Sequence, residues 1–173
     1  RNKVFKMGGA EHDQYGFVTT KPAWRKIIMD KRMRKMQTFL QEDFERPKTF
    51  GPDFAEILLV GWGTAKGVLL EVKERLEAKG ISTKVCHFID MWPLAKGLAR
   101  NVLASANRIY IVEGNEEGQL AMLLKMKAAE DGVAFHGPRV FSILRYDGRP
   151  IEPENIVERI LNDVLPEENA VEE

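Results

Sequence analysis

Between residues 51 and 165 short apolar runs alternate with stretches of helical spacing, and few architectures accept that alternation. The runs are "EILLV" (56–60), "TKVCHFI" (83–89), "RIYIV" (108–112) and "RVFSIL" (139–144). Their length and near-continuous apolar character fit strands buried on both faces. Between the first two, Val68, Leu69, Val72 and Leu76 recur at three-and-four spacing, with Thr64 placed as an N-cap and Gly80 as the terminator. Leu94, Leu98, Val102 and Leu103 make a second stripe. Leu120, Leu123, Leu124 and Ala128 make a third, closed by "DG" at 131–132. A last helix is expected from "IEPEN", with Pro153 in its first turn and Ile151 positioned to staple against Ile156. It continues through Ile160, Leu161 and Val164 and stops at Pro166. Strands alternating with helices imply an α/β fold: an open, mostly parallel sheet with helices on both faces.

The first 50 residues follow another pattern. "YGFVTTKP" reads as a short strand or an extended segment, and a helix is expected from Pro22 to about Asp43, with Met29, Met33, Met36 and Leu40 on one stripe. "ERPKTFGPD" (45–53), with two prolines and a glycine, reads as a linker, and "PEENAVEE" as a frayed acidic tail. The expected division is therefore 1–53, 54–165 and 166–173. Beginning at Arg1, the chain reads as part of a longer one.

Composition restricts the partners. Lysine plus arginine equals aspartate plus glutamate, at 26 each, so no overall charge draws the chain to nucleic acid or a membrane surface. No apolar stretch approaches the roughly 20 residues of a membrane-spanning helix, and no signal-peptide pattern is present. A single cysteine, Cys86, cannot form an internal disulfide, which fits the cytoplasm.

Several features invite a chemical reading. "GWGTAKG" (61–67) follows a strand and opens a helix, as a phosphate-binding loop does. Its glycines, Gly61, Gly63 and Gly67, are spaced one residue wider than the dinucleotide fingerprint, although Asp90 stands where a ribose-binding acid would. Either the loop serves an independent nucleotide-binding domain, or it is a tight turn in which Gly67 lets the helix lie close to the sheet. Residues 21–35 carry seven basic side chains against Asp30 alone. Without interleaved aromatics this favours a solvated face beside a packed one over a phosphate surface, leaving an acidic partner as the alternative. His12, His87 and His136 lack partners at metal-ligand spacing, "EHD" (11–13) included, and Cys86 reads as a small buried hydrophobe. No nucleophile–base–acid set is legible.

Three strands end in unusual residues: "GWG" (61–63), "DMWP" (90–93) and "EGNEEG" (113–118). Carboxyl ends of strands form the functional edge of an open α/β sheet. Trp62, Asp90, Trp92, Glu113 and Asn115 fall there. Tryptophans without a catalytic set beside them read as interface anchors.

The same stretches carry a family resemblance. "EHDQYGFVTT", "KRMRKM", "LLVGWGTAKG", "DMWPL", "IVEGNEEGQLA" and "RYDGRPIEPENI" occur in the order found in alpha subunits of 2-oxoacid:ferredoxin oxidoreductases. The chain resembles the C-terminal portion of the 2-oxoglutarate type most. The resemblance implies a transketolase C-terminal-like domain over about 54–165, with the end of a thiamine-related domain and a basic linker helix before it. It also implies an enzyme that decarboxylates a 2-oxoacid oxidatively to its acyl-CoA and passes electrons to ferredoxin. By the same resemblance, thiamine diphosphate, its magnesium and an iron–sulfur cluster belong mainly to a beta subunit, with gamma and delta subunits as further partners. This fragment itself is expected to bind no cofactor or metal and to hold no catalytic residue. The family often has an aromatic and a threonine where this chain has Glu116 and Glu117, and its tyrosine–proline–threonine motif and carboxylate-binding arginine are not found here.

Overall fold

The computed structural model describes residues 8–133 and 139–164, in a chain that divides into two compact units, 1–44 and 45–173. In the first unit, helix α1 (Pro22–Glu42) begins with its proline in the first turn, where a missing N–H costs no hydrogen bond. No residue of α1 is buried. Met29 and Met33 are exposed, and Met36 and Leu40 half-buried, so the apolar stripe is present but uncovered. Ahead of it, Tyr15 and Gly16 lie in a turn, and His12 and Val18 form an isolated antiparallel bridge. The Asp13 carboxylate shapes the intervening turn by accepting the N–H groups of Tyr15 (2.9 Å) and Phe17 (3.0 Å).

The second unit is a five-stranded sheet with helices on both faces. Its elements are β1 (Lys48–Phe50), β2 (Ala55–Trp62), α2 (Ala65–Glu77), β3 (Thr83–Phe88), α3 (Leu98–Leu103), β4 (Ala106–Glu113), α4 (Gln119–Glu130), β5 (Val140–Leu144) and α5 (Pro153–Val164). The strand order is β1-β3-β2-β4-β5, parallel throughout except for β1, which runs antiparallel to β3 on the edge. The stretch 45–53, expected as a linker, therefore contributes a strand: Lys48, Thr49 and Phe50 pair with His87, Cys86 and Val85. A three-residue edge strand leaves too short an apolar signal to be read among prolines.

Handedness distributes the helices. The chain moves from β2 to β3 on one side, then reverses to β4 and β5 on the other. Because parallel crossovers are right-handed, that reversal sends α2 to one face and α3 and α4 to the other. Leu69, Val72 and Leu76 of α2 pack with Ile156 and Ile160 of α5 over Ile57, Leu59, Val85, Tyr110 and Val112. Residues of the other parity, Leu58, Val60, Ile109 and Ile111, are fully buried on the opposite face, where α3 and α4 pack together. Each such side chain contributes roughly 1.5–3 kcal/mol of burial, so the sheet's centre dominates the stability of this unit.

Polar ties fix α5. Arg75 of α2 bonds Glu154 (2.6 Å) and Glu71 (2.5 Å). Arg108 of β4 donates to the Asp163 carbonyl, and the Tyr110 hydroxyl donates to the Asp163 carboxylate at 3.2 Å. Burial pushes the Tyr110 hydroxyl up to about 12, with the Asp163 charge adding to the effect, so it remains a donor at neutral pH.

The two units should differ in protection. Arg25, Lys26, Lys31, Arg32, Arg34 and Lys35 are exposed on a helix with no buried residue. Limited trypsin digestion followed by mass spectrometry should cut there first and leave a resistant fragment starting near residue 45. A first cut within 55–144 would contradict this division.

Candidate functional site at the carboxyl edge of the sheet

Where the chain reverses direction, α2 leaves the end of β2 toward one face and α4 leaves the end of β4 toward the other. A crevice must open between them, the place where open α/β sheets most often hold ligands. The structure has a cleft of about 390 Å³ there, lined by Trp62, Thr64, Ala65, Glu113, Asn115 and Gln119 among others.

The β2–α2 turn forms one wall. A Cβ on Gly61 would stand 2.7 Å from Leu69 Cδ1 and 3.2 Å from Ala65 Cβ, so only glycine lets α2 lie this close to the strand. Gly63 takes a φ of +57° that suits glycine. The close approach expected of Gly67 is thus made by Gly61, six residues earlier; a Cβ on Gly67 would meet nothing within 4 Å. Thr64 occupies the N-cap position, but its side chain makes no capping bond.

The β4–α4 turn forms the other wall, and two of its polar residues, Glu113 and Asn115, are committed to the helix. Glu113 is buried at 1% exposure at the end of β4. One of its carboxylate oxygens accepts the Leu120 N–H at 2.8 Å and the Asn115 side-chain amide at 3.0 Å; the other accepts the Ala121 N–H at 3.1 Å. Asn115 in turn accepts the N–H groups of Gly118 (2.8 Å) and Gln119 (3.1 Å). Between them, Glu113 and Asn115 satisfy the amides that begin α4, and the carboxylate sits at the positive end of the helix dipole. Glu113 was expected on an interface surface. Its carboxylate instead faces inward, because a buried charge is held where donors converge.

Of the remaining expected residues, Asp90 and Trp92 lie apart from the cleft, while Trp62 lines it. Asp90, at the end of β3, accepts the Glu45 N–H at 2.8 Å and does not line the cleft. Trp92, joined to Pro93 by a cis peptide bond, is 56% exposed, and the Lys127 ammonium of α4 lies 5.0 Å from its ring centroid. Trp62 is 37% exposed at the cleft mouth.

The other sequence candidates are held by structure. His87 is buried on β3, its Nε2–H donating to the Gly63 carbonyl at 3.0 Å, which pins the glycine turn. Of the "EHD" triplet, Glu11 pairs with Arg32 at 2.8 Å, Asp13 shapes its turn and His12 Nδ1 bonds the Asp13 carbonyl. His136 lies outside the described residues. Cys86 is buried, and desolvation pushes its thiol up to about 12, so it is an inert apolar side chain.

The comparisons with known proteins agree with the fold. A family model for the transketolase C-terminal domain matches residues 53–156. The chain belongs to that family. It is 35% identical over 161 residues to 2-oxoacid:ferredoxin oxidoreductase 1, subunit alpha, of Aeropyrum pernix, covering 90% of this chain and 24% of that protein. A 2-oxoacid:ferredoxin oxidoreductase subunit alpha of Saccharolobus solfataricus is 29% identical over 154 residues, covering 88% of this chain and 23% of that one. The chain thus spans about a quarter of the length of these relatives. Among solved structures, the 2-oxoglutarate:ferredoxin oxidoreductase of Magnetococcus marinus, with 2-oxoglutarate, coenzyme A and succinyl-CoA bound, shares the fold. Its TM-score is 0.71 at 23% identity, over 94% of this chain and 27% of that one. The resemblance to 2-oxoacid:ferredoxin oxidoreductase alpha subunits holds.

The capping role of Glu113 gives a direct test. Glu113→Ala removes the partner of two buried helix amides, and should destabilise the chain by about 3 kcal/mol. Glu113→Gln, which keeps one accepting oxygen, should cost less. Urea unfolding followed by circular dichroism reads both; an unchanged midpoint for Glu113→Ala would refute the capping role.

Proposed function

We propose that this chain is the C-terminal assembly domain of the alpha subunit of a 2-oxoacid:ferredoxin oxidoreductase of the 2-oxoglutarate type. Such an enzyme decarboxylates its 2-oxoacid oxidatively to the acyl-CoA and passes the electrons to ferredoxin. The observation that carries the reading is the character of the carboxyl edge. It exposes Trp62 and Trp92, while the carboxylate beside Trp62 is spent on capping α4. A cleft with an aromatic anchor at its mouth and its lining carboxylate engaged by helix amides suits contact better than chemistry.

Thiamine diphosphate and its magnesium do not fit this cleft. Magnesium takes oxygen ligands, usually one or two carboxylates with the phosphates, and Glu113, the carboxylate lining the cleft, already receives three N–H donors. In our reading the cofactor, its metal and the iron–sulfur cluster lie chiefly on a beta subunit. That subunit is the main partner, with gamma and delta subunits as further ones where they exist. Trp62, Trp92, Asp90 and Asn115 then lie at or near the contact, with Asp90 acting through the backbone of Glu45 and Asn115 through α4. The first unit and residues up to 53 would close the preceding thiamine-related domain and connect it to 54–165, with 166–173 as a tail. Coenzyme A and ferredoxin meet the parent complex. Cys86, reduced and buried, is compatible with the cytoplasm.

Two outcomes follow. The chain alone should show no heat of binding with thiamine diphosphate and magnesium by calorimetry, and should reduce no dye with any 2-oxoacid; turnover by the isolated chain would overturn the assembly role. In the parent enzyme, Trp62→Ala or Trp92→Ala should cost about 2 kcal/mol of association, close to a 30-fold weakening. Activity per assembled complex should stay near normal. Ultracentrifugation beside steady-state kinetics separates the cases: normal assembly with slow turnover would place this edge in the active site.

A further inference from the structure

A second cavity, of about 210 Å³, lies between β1, β3 and α3, away from the carboxyl-edge cleft. Its lining includes Arg46, Thr49, Lys84, Leu98, Asn101 and Val102, and no acidic side chain lines it. Lys84 is 8% exposed. One of its N–H groups donates to the Asp53 carbonyl at 2.8 Å. Among the described residues no carboxylate lies within ion-pair distance of Lys84 or of Arg46.

A buried ammonium is ordinarily paired, because a charge withdrawn from water is costly without a counter-charge. A single carbonyl answers one of the three donors and supplies no charge. The end of α3 does not compensate: the Val102 carbonyl already accepts the Ser105 N–H (3.3 Å) and hydroxyl (2.8 Å), and Arg100 accepts the Ala104 N–H (3.0 Å). Lys84 at the wall and exposed Arg46 therefore make a cavity of unopposed positive charge.

We propose that this cavity binds a small organic carboxylate. Its carboxylate would lie between Lys84 and Arg46 and its apolar body against Leu98 and Val102. The space equals the share of about seven waters in the liquid, enough for an acid of a few carbons. The apolar wall disfavours inorganic phosphate, whose sites are built from converging backbone N–H groups. The inference stands apart from the assembly reading, since the cavity shares no lining residue with the cleft.

The test is a titration of the full chain with sodium butyrate, against sodium chloride at matched ionic strength, followed by amide chemical shifts. Saturable shifts are expected at Lys84, Cys86, Asn101 and Ser105. Lys84→Met should weaken binding by roughly 10-fold or more, the scale of one charge-assisted hydrogen bond. Arg46→Gln should weaken it as well. Asn101→Asp, a change at an exposed residue, sets a like charge at the cavity and should abolish saturation. Should Lys84→Met not fold, Arg46→Gln and Asn101→Asp decide alone. Shifts no larger than those in chloride, or equal affinity in the folded variants, would overturn the proposal. Tighter binding of inorganic phosphate than of butyrate would overturn the assignment to a carboxylate.

Discussion

The buried carboxylate of Glu113 holds the working edge of this domain together. It ends β4 and accepts two of the first amides of α4, so strand and helix are joined by charge-assisted hydrogen bonds across a turn. Without it, the buried Leu120 and Ala121 N–H groups at the start of α4 would lose their acceptor. Because α4 forms a wall of the cleft opposite α2, the same bonds set the cleft's width. A residue that faces the site is thereby spent on building it.

The other wall follows from sterics rather than charge. Gly61 admits Leu69 at a distance that a Cβ would not permit and Ala65 at one that would force it to give way, and His87 ties the turn by donating to Gly63. Combined with right-handed crossovers, the reversal of strand order at β2 leaves the two turns splayed. The cleft is then a consequence of topology, and its occupant must be argued from the side chains. Trp62 stands at its mouth, and the carboxylate that lines it is engaged by α4.

Much of this was legible in the sequence. The strands β2 to β5 and the stripes of α2, α4 and α5 followed from apolar periodicity, although β5, expected to be buried on both faces, lies on the sheet's edge and is at most half-buried. The edge strand at Lys48–Phe50 did not, since three residues between prolines carry no period. The close approach at Gly61 was assigned to Gly67, because a fingerprint counts positions while the structure counts distances. Glu113 was visible as unusual and misjudged in role: its partners, Leu120 and Ala121, lie seven and eight residues on, outside the spacing of a capping box. Lys84 escaped notice altogether. A lysine inside an apolar strand reads as an exposed side chain that snorkels, and only the fold shows it enclosed.

Both placements, the inward acid and the enclosed base, arise from one rule with opposite results. A buried charge must find partners, and Glu113 finds them within the chain, from helix amides that need an acceptor as much as it needs donors. Lys84 finds one carbonyl. The first arrangement is closed and accounts for local order. The second is open, and a charge left open in a core is a cost that folding alone does not explain. Two basic groups converging on one cavity, with no acid beside them, give that cost a purpose if an anion enters. The domain would then carry contact on one edge and recognition of a small acid on its flank. These would be separate functions built on the same sheet, each traceable to which charges the chain satisfied by itself.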